Sequence, residues 1–309
     1  MQIMSLITAL PGAAAQGLIW GIMAIGVYIT FRILDIADLT VDGTLCTGGA
    51  VCIMMMLSGH NVWVSMLAAT GAGLLAGLAT GIFHTFMGIP AILAGILTQL
   101  SLYSVNLKIM GKANQAINVD KFNLLVSLRR VKGVALTQNT LFIVAIMIII
   151  LIAVLYWFFG TELGCSLRAT GCNPSMSRAQ GINTDRNKVL GLMLSNGLVA
   201  LSGALLTQYQ GFADINMGRG SIVIGLAAVI IGEAIFSRIF RNFALKLTAS
   251  VIGAIIYYIV MQVVLWLGLP TNYLKLLTAL VVAMFLAVPH WKSQLFTARS
   301  ARKGEKQNA

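Results

Sequence analysis

Nine apolar stretches separated by short polar connections occupy almost the whole chain, and no other feature constrains the fold as tightly. They run Ala13–Leu34, Gly43–Leu57, Val62–Phe83, Pro90–Ile109, Leu141–Phe159, Val189–Tyr209, Ser221–Phe236, Phe243–Leu267 and Leu274–Val288. About 20 apolar residues cross the hydrocarbon layer as a helix. Inside that layer every backbone N–H and C=O needs an internal partner, which helices supply segment by segment. The second and seventh stretches are short and interrupted by glycine, so they read as broken or re-entrant helices. The expected fold is all-α and polytopic, with eight to nine transmembrane helices. Residues 1–291 would form the membrane domain and residues 292–309 a basic cytoplasmic tail. The first stretch has no basic leader and is long enough to span, so it reads as a mature helix rather than a cleaved signal.

Composition points the same way. Of 309 residues, 58% are hydrophobic and 10% charged, against about 25% charged in a soluble domain. The net charge of +12 does not indicate nucleic acid, because the 21 Lys and Arg gather in short segments between apolar runs. That is the pattern of loops flanking membrane helices, and it also sets orientation. The tail (Lys292, Arg299, Arg302, Lys303, Lys306), the loop with Arg238, Arg241 and Lys246, and the loop from Thr161 to Lys188 are expected in the cytoplasm. The N-terminus is then outside the plasma membrane. The segment Gly111–Asn139, with Lys112, Lys121, Arg129, Arg130 and Lys132, falls outside by the same count, against the charge rule.

The two short stretches share a pattern. Ala37-Asp38-Leu39-Thr40-Val41-Asp42-Gly43 leads into Gly48-Gly49-Ala50, and Ala213-Asp214-Ile215-Asn216-Met217-Gly218-Arg219-Gly220 leads into Gly225-Leu226-Ala227. An odd number of spans separates the copies, which would point them in opposite directions. Inverted repeats with discontinuous helices are a transporter design. Chance is the competing explanation, since membrane helices are rich in glycine and alanine. The acids matter for the same reason: a carboxylate in hydrocarbon costs about 2.5–3.5 kcal/mol or more. Asp38, Thr40 and Asp42, with Asn216 and Arg219, are candidates for the translocation path. As an alternative, Asp38 and Asp42 are helix caps at the cytoplasmic interface. Asp35 lies one turn after Arg32 and is expected to pair with it.

The segment from Gly164 to Asn183 is a basic loop with defined punctuation. Within the run Leu167-Arg168-Ala169-Thr170-Gly171, Arg168 and Ala169 suit a short helix that Gly171 would end; Asn173-Pro174 makes a turn. A second short helix would stop at Gly181, followed by Ile182 and Asn183. This run resembles the coupling segment of ABC importer permeases, in the family that moves branched-chain amino acids and ribose-type sugars. Leu34-Asp35-Ile36-Ala37-Asp38-Leu39-Thr40-Val41-Asp42-Gly43 is similar to the signature of a branch linked to aromatic or other hydrophobic amino-acid uptake. Cys172 stands where the wider family often carries an acid. The resemblance implies contact between Leu167–Asn183 and two cytoplasmic ATPase subunits, where ATP and Mg would bind. It also implies a second permease copy, as a homodimer, and an extracytoplasmic substrate-binding lipoprotein. Small-residue faces such as Gly71-Ala72-Gly73 and Gly77 are expected to pack that dimer.

No phosphate-binding G-x-x-x-x-G-K-[ST] run is present, so ATP hydrolysis would lie in another subunit and this chain would carry no cofactor of its own. His60, His84 and His290 are scattered, and the four cysteines have no metal spacing. An enzyme would need a nucleophile and base in the spans, and none is evident. A self-powered secondary transporter with Asp38 or Asp42 as an ion site is the alternative to the importer.

Overall fold

The computed structural model describes residues 2–267 apart from 120–121, 123, 132–138, 237–239 and 241, together with a few positions between 276 and 287. These residues form ten α-helices and one two-stranded ribbon. Six helices are long and apolar enough to cross a membrane. They are α1 (Gln2–Tyr28, prolonged by a π turn Ile29–Ile33), α3 (Val62–Thr85), α4 (Ala91–Met110), α5 (Thr140–Gly160), α8 (Thr184–Gln210) and α10 (Phe243–Trp266). The two short stretches become α2 (Val41–Leu57) and α9 (Ser221–Phe236), and two short amphipathic helices follow α5: α6 (Glu162–Cys172) and α7 (Pro174–Ala179). The chain is an all-α, multi-pass membrane protein. The ninth apolar stretch and the basic tail lie almost wholly outside the described residues.

Helix α8 is the central post, with most of its side chains buried. Around it the registers fix direction. Tyr209 and Ser202 of α8 donate to the carbonyls of Gly12 and Ile19, at 3.1 and 2.8 Å, so α1 runs antiparallel to α8. On α2, Thr44 meets Asn196 and Cys52 meets Gln208, so α2 runs parallel to α8; where the two cross, Gly48 lies against the Ala200 carbonyl and Gly203 against the Leu45 carbonyl. A Cβ at either glycine would overlap a backbone oxygen; only glycine lets these axes approach so closely. Residues Gly73 and Gly77 of α3 pack in the same way on Asn196 and Leu192. This corrects the expectation for that face: two of its small residues build the α3–α8 contact inside the chain, and Gly71 alone of the three faces open space. The outward faces of α3, α4 and α5 carry exposed Leu67, Leu75, Leu93, Ile149 and Val154, as lipid or a second copy requires.

Helix α4 ends in a left-handed Gly111 cap and leads to β1 (Asn114–Ala116), which pairs antiparallel with β2 (Phe212–Asp214), just past α8. The described residues of the basic segment 111–139 therefore sit at the end of the molecule opposite α6 and α7, as the span count places them. Arg32, in the π turn that prolongs α1, forms its ion pair with Glu233 of α9. The expected Arg32–Asp35 pairing is thus replaced by a tie between two helices. The cause is local: the chain reverses at Asp35, which takes a left-handed backbone (φ 55°) and turns its side chain outward.

Candidate functional site

The reversal after α1 makes the site. Beyond Asp35 the chain climbs back along α8 without helical structure, and α2 starts at Val41 beside Asn196. Asn196 lies 12 residues into a 27-residue helix, so at a rise of 1.5 Å per residue this level is roughly 20 Å from either end. Helix α2 therefore begins near mid-span and runs toward the β-ribbon end. From that same end the turn 215–220 leads down to α9, which begins at Ser221 and runs the other way, past Met23 and Val27 to Glu233 beside Arg32. Two half-helices of opposite direction meet nose to nose.

Each nose is preceded by an aspartate turn. Asp38 accepts from the Thr40 N–H at 2.9 Å, and Asp214 accepts from the Asn216 N–H at 2.7 Å: the same aspartate turn, two residues long, in both copies of the repeat. Asp42 then crosses the junction. One of its oxygens accepts from the Ser221 hydroxyl (2.8 Å) and the Ile222 N–H (2.9 Å), the other from the Gly220 N–H (2.8 Å). A carboxylate at a helix N-terminus satisfies orphan N–H groups and opposes the positive end of the helix dipole. Gly218 lies against the Asp42 carbonyl, closer than any side chain permits.

The path candidates separate into two groups. Asp38 and Thr40 are buried inside the fold. Asp38 accepts from the Asn196 amide at 2.7 Å, Asn196 in turn accepts from Thr44 at 2.7 Å, and Thr40, Thr80 and Thr98 form a hydroxyl chain with spacings of 2.7 and 2.9 Å. These bonds tie α2, α3, α4 and α8 together at the level where the helix is broken. Asp42 and Arg219 instead line a cavity of about 270 Å³ with Gln99, Tyr103 and Asn106 of α4, while Asn216 is exposed nearby. Sequence reasoning missed Asn106, Asn196 and Gln99. The signal was available, since an amide inside an apolar run carries the same desolvation cost that singled out the acids.

At the far end, the segment Leu167–Asn183 takes its shape from three caps. Thr161 accepts from Gly164 N–H (3.4 Å), Asn173 from Met176 N–H (3.0 Å) and Asn183 from Arg186 N–H (3.0 Å), starting α6, α7 and α8. Pro174 occupies the first turn of α7, where its missing N–H costs nothing. Gly181 has φ +80°, which ends α7 and turns the chain by Ile182 into Asn183. Gly171 does not end α6: it lies within the helix, and its bare face rests on the Ile33 carbonyl. Leu167 and Thr170 are buried, and Thr170 accepts from Asn187 of α8 at 2.9 Å. Arg168, Ala169, Asn173 and Pro174 are exposed, with the Arg168 guanidinium 5.9 Å from the Phe243 ring centre. One face of α6 thus grips α1 and α8, and the other is open.

Residues 10–288 match the family described as the branched-chain amino acid transport system permease component. The chain is similar to the tyrosine transport system permease protein of Clostridioides difficile, at 40% identity over 272 residues, covering 88% of each chain. It is also similar to the ribose import permease protein RbsC of Escherichia coli, at 26% identity over 88% of this chain and 82% of that one. A chain in the structure of PsaBC from Streptococcus pneumoniae in complex with Fab superposes with a TM-score of 0.53. That match covers 93% of this chain and 94% of the other at 18% identity, a likeness of fold.

Proposed function

The chain belongs to the family of branched-chain amino acid transport system permease components, and we propose that it forms the translocation path of an ATP-driven importer for an aromatic or other hydrophobic amino acid. Two ATPase subunits, holding ATP and Mg, would dock on the open face of α6 and α7 at the cytoplasmic surface, where the C-terminal tail also lies. A second copy would complete the path as a homodimer. An extracytoplasmic binding lipoprotein would deliver substrate at the β-ribbon end.

The observation that carries this reading is the meeting of α2 and α9 at mid-span through Asp42. Broken helices place polar backbone and carboxylates at the depth where a substrate must pass, which continuous helices do not. ATP hydrolysis elsewhere can bias such a path only through an element that differs between states. The contacts supply a route for it: Gly171 of α6 rests on Ile33, the reversal at Asp35 follows, Asp38 holds the turn at Thr40 that leads into α2, and Asp42 holds α9. The amino-acid substrate rests on the similarity to the tyrosine permease.

The test is reconstitution in proteoliposomes with the cognate ATPase and binding protein. The reading expects L-tyrosine or another hydrophobic amino acid to accumulate only with internal ATP. Accumulation driven by a proton or sodium gradient without the ATPase would make the chain a secondary transporter. Uptake of D-ribose in place of amino acids would contradict the substrate class.

A further inference from the structure

Resting on the amino-acid reading above, we propose that the cavity between α2, α4 and the 215–219 turn is a subsite for the ammonium and carboxylate groups of the amino acid in transit. The permease would then read its substrate itself, independently of the binding protein. Two separate observations point to a ligand there. Asn106 is 1% exposed and its amide oxygen has no hydrogen-bond partner, although it lines the cavity. A buried acceptor left unpaired is costly, and native structures rarely keep one without a reason. Arg219 lines the same cavity near mid-span, with no carboxylate partner among the described residues. An ionised side chain at that depth normally faces a partner or a substrate path.

The chemistry of these groups is specific. A guanidinium offers a planar pair of donors that matches a carboxylate. The Asn106 oxygen lacks a donor, which an ammonium group supplies. Asp42 lines the same space and adds negative charge on the ammonium side. Tyr103, 43% exposed, and Leu100, 64% exposed, offer an apolar wall to the substrate side chain at the open mouth. The volume, about 270 Å³, is close to the lower bound of small-molecule pockets, about 300 Å³. It suits one amino-acid head group and the start of its side chain.

The test measures equilibrium binding of radiolabelled L-tyrosine to the purified permease dimer without its binding protein, beside uptake by the full complex. L-Tyrosine should bind, whereas tyramine and 3-(4-hydroxyphenyl)propionate, each lacking one charged group, should compete about 10- to 100-fold more weakly. Asn106→Leu and Arg219→Gln should weaken binding by a similar factor. Asn106→Asp, which keeps the acceptor and the shape, and Arg219→Lys should restore most of it. These conservative variants also separate loss of a contact from loss of fold. No binding to the wild-type permease, or equal competition by the two single-charge compounds, overturns the subsite. If, in addition, the complex still imports L-tyrosine, the subsite falls and the transport reading stands. Binding and uptake of D-ribose instead of amino acids would remove both.

Discussion

Asp42, in the first turn of α2, accepts a 2.9 Å hydrogen bond from the backbone N–H of Ile222, in the first turn of α9, across 180 residues of sequence. The carboxylate is therefore shared by two half-helices that point away from each other. It lies at the N-terminus of its own helix as well as of the other, so both dipoles favour its charge. Nothing else in the described residues joins α2 to α9 with three bonds from one side chain. Asp42 is thus the main polar joint between the two copies of the repeat, beside the bond from the Cys46 thiol to the Asp214 carbonyl at 3.4 Å.

Removing that joint is expected to be costly. Hydrogen bonds inside membrane proteins are worth about 0.6–1.7 kcal/mol each, so Asp42→Ala, which loses three, should destabilise the permease by about 2–5 kcal/mol. Asp42→Asn keeps one oxygen and should fall between the two. Thermal unfolding of the detergent-purified permease, followed by loss of monodispersity, checks the order wild type, Asn, Ala. An Ala variant as stable as wild type would mean that the half-helices are held by packing alone.

At Gly171 the prediction concerns coupling. Even the single methyl of Gly171→Ala would overlap the Ile33 carbonyl, so α6 must move away from α1. The complex should insert and assemble, while substrate-stimulated ATP hydrolysis and uptake fall together, and further in Gly171→Val. Gly181 gives the contrast. Its φ of +80° faces open space, so Gly181→Ala should cost only about 1–2 kcal/mol of local strain and leave coupling near normal. Uptake and ATPase rates on the same preparations distinguish the two.

Much of this was legible in the sequence, for reasons that apply to particular residues. Apolar length identified the long helices because hydrocarbon tolerates few alternatives, and the paired Ala-Asp motifs located both breaks. The Asp38 and Asp214 turns give that repeat its physical basis, an identical aspartate turn preceding two half-helices. Gly171 was misread as a helix stop because composition does not distinguish a left-handed glycine from one needed for close approach; only the position of Ile33 does. The same limit applies to Gly73 and Gly77, whose neighbours belong to α8 rather than to another copy. Arg32 found Glu233 instead of the nearby Asp35 because the chain reverses between them, a turn that one-turn spacing does not reveal.

The buried network around Asp38 yields a further prediction. Asn196→Leu would leave the Asp38 carboxylate, 2% exposed, without its amide donor, and Thr44 with only the Thr40 carbonyl to donate to. A buried carboxylate that loses a hydrogen-bond donor costs about 1.5–3 kcal/mol, so expression of folded protein should drop. Asp38→Asn in the wild-type background retains an acceptor for the Thr40 N–H and should be much milder. Comparable losses in both would show that charge, rather than hydrogen bonding, matters at this position.

The central claim is that the substrate path runs past the α2–α9 junction, and the most direct measurement is access to position 219 during the transport cycle. Arg219→Cys would be made with Cys46, Cys52, Cys165 and Cys172 replaced by serine, and Leu93→Cys and Ile149→Cys would serve as controls on exposed apolar faces. A charged, membrane-impermeant thiol reagent is applied from either side of oriented membranes, in nucleotide-free and ATP-trapped complexes. The account predicts that the cysteine at 219 is labelled from one side in the first state and from the other side, or not at all, in the second, with substrate slowing the reaction, while the controls stay unlabelled. Labelling at 219 that is the same in every state, or absent throughout, would contradict it.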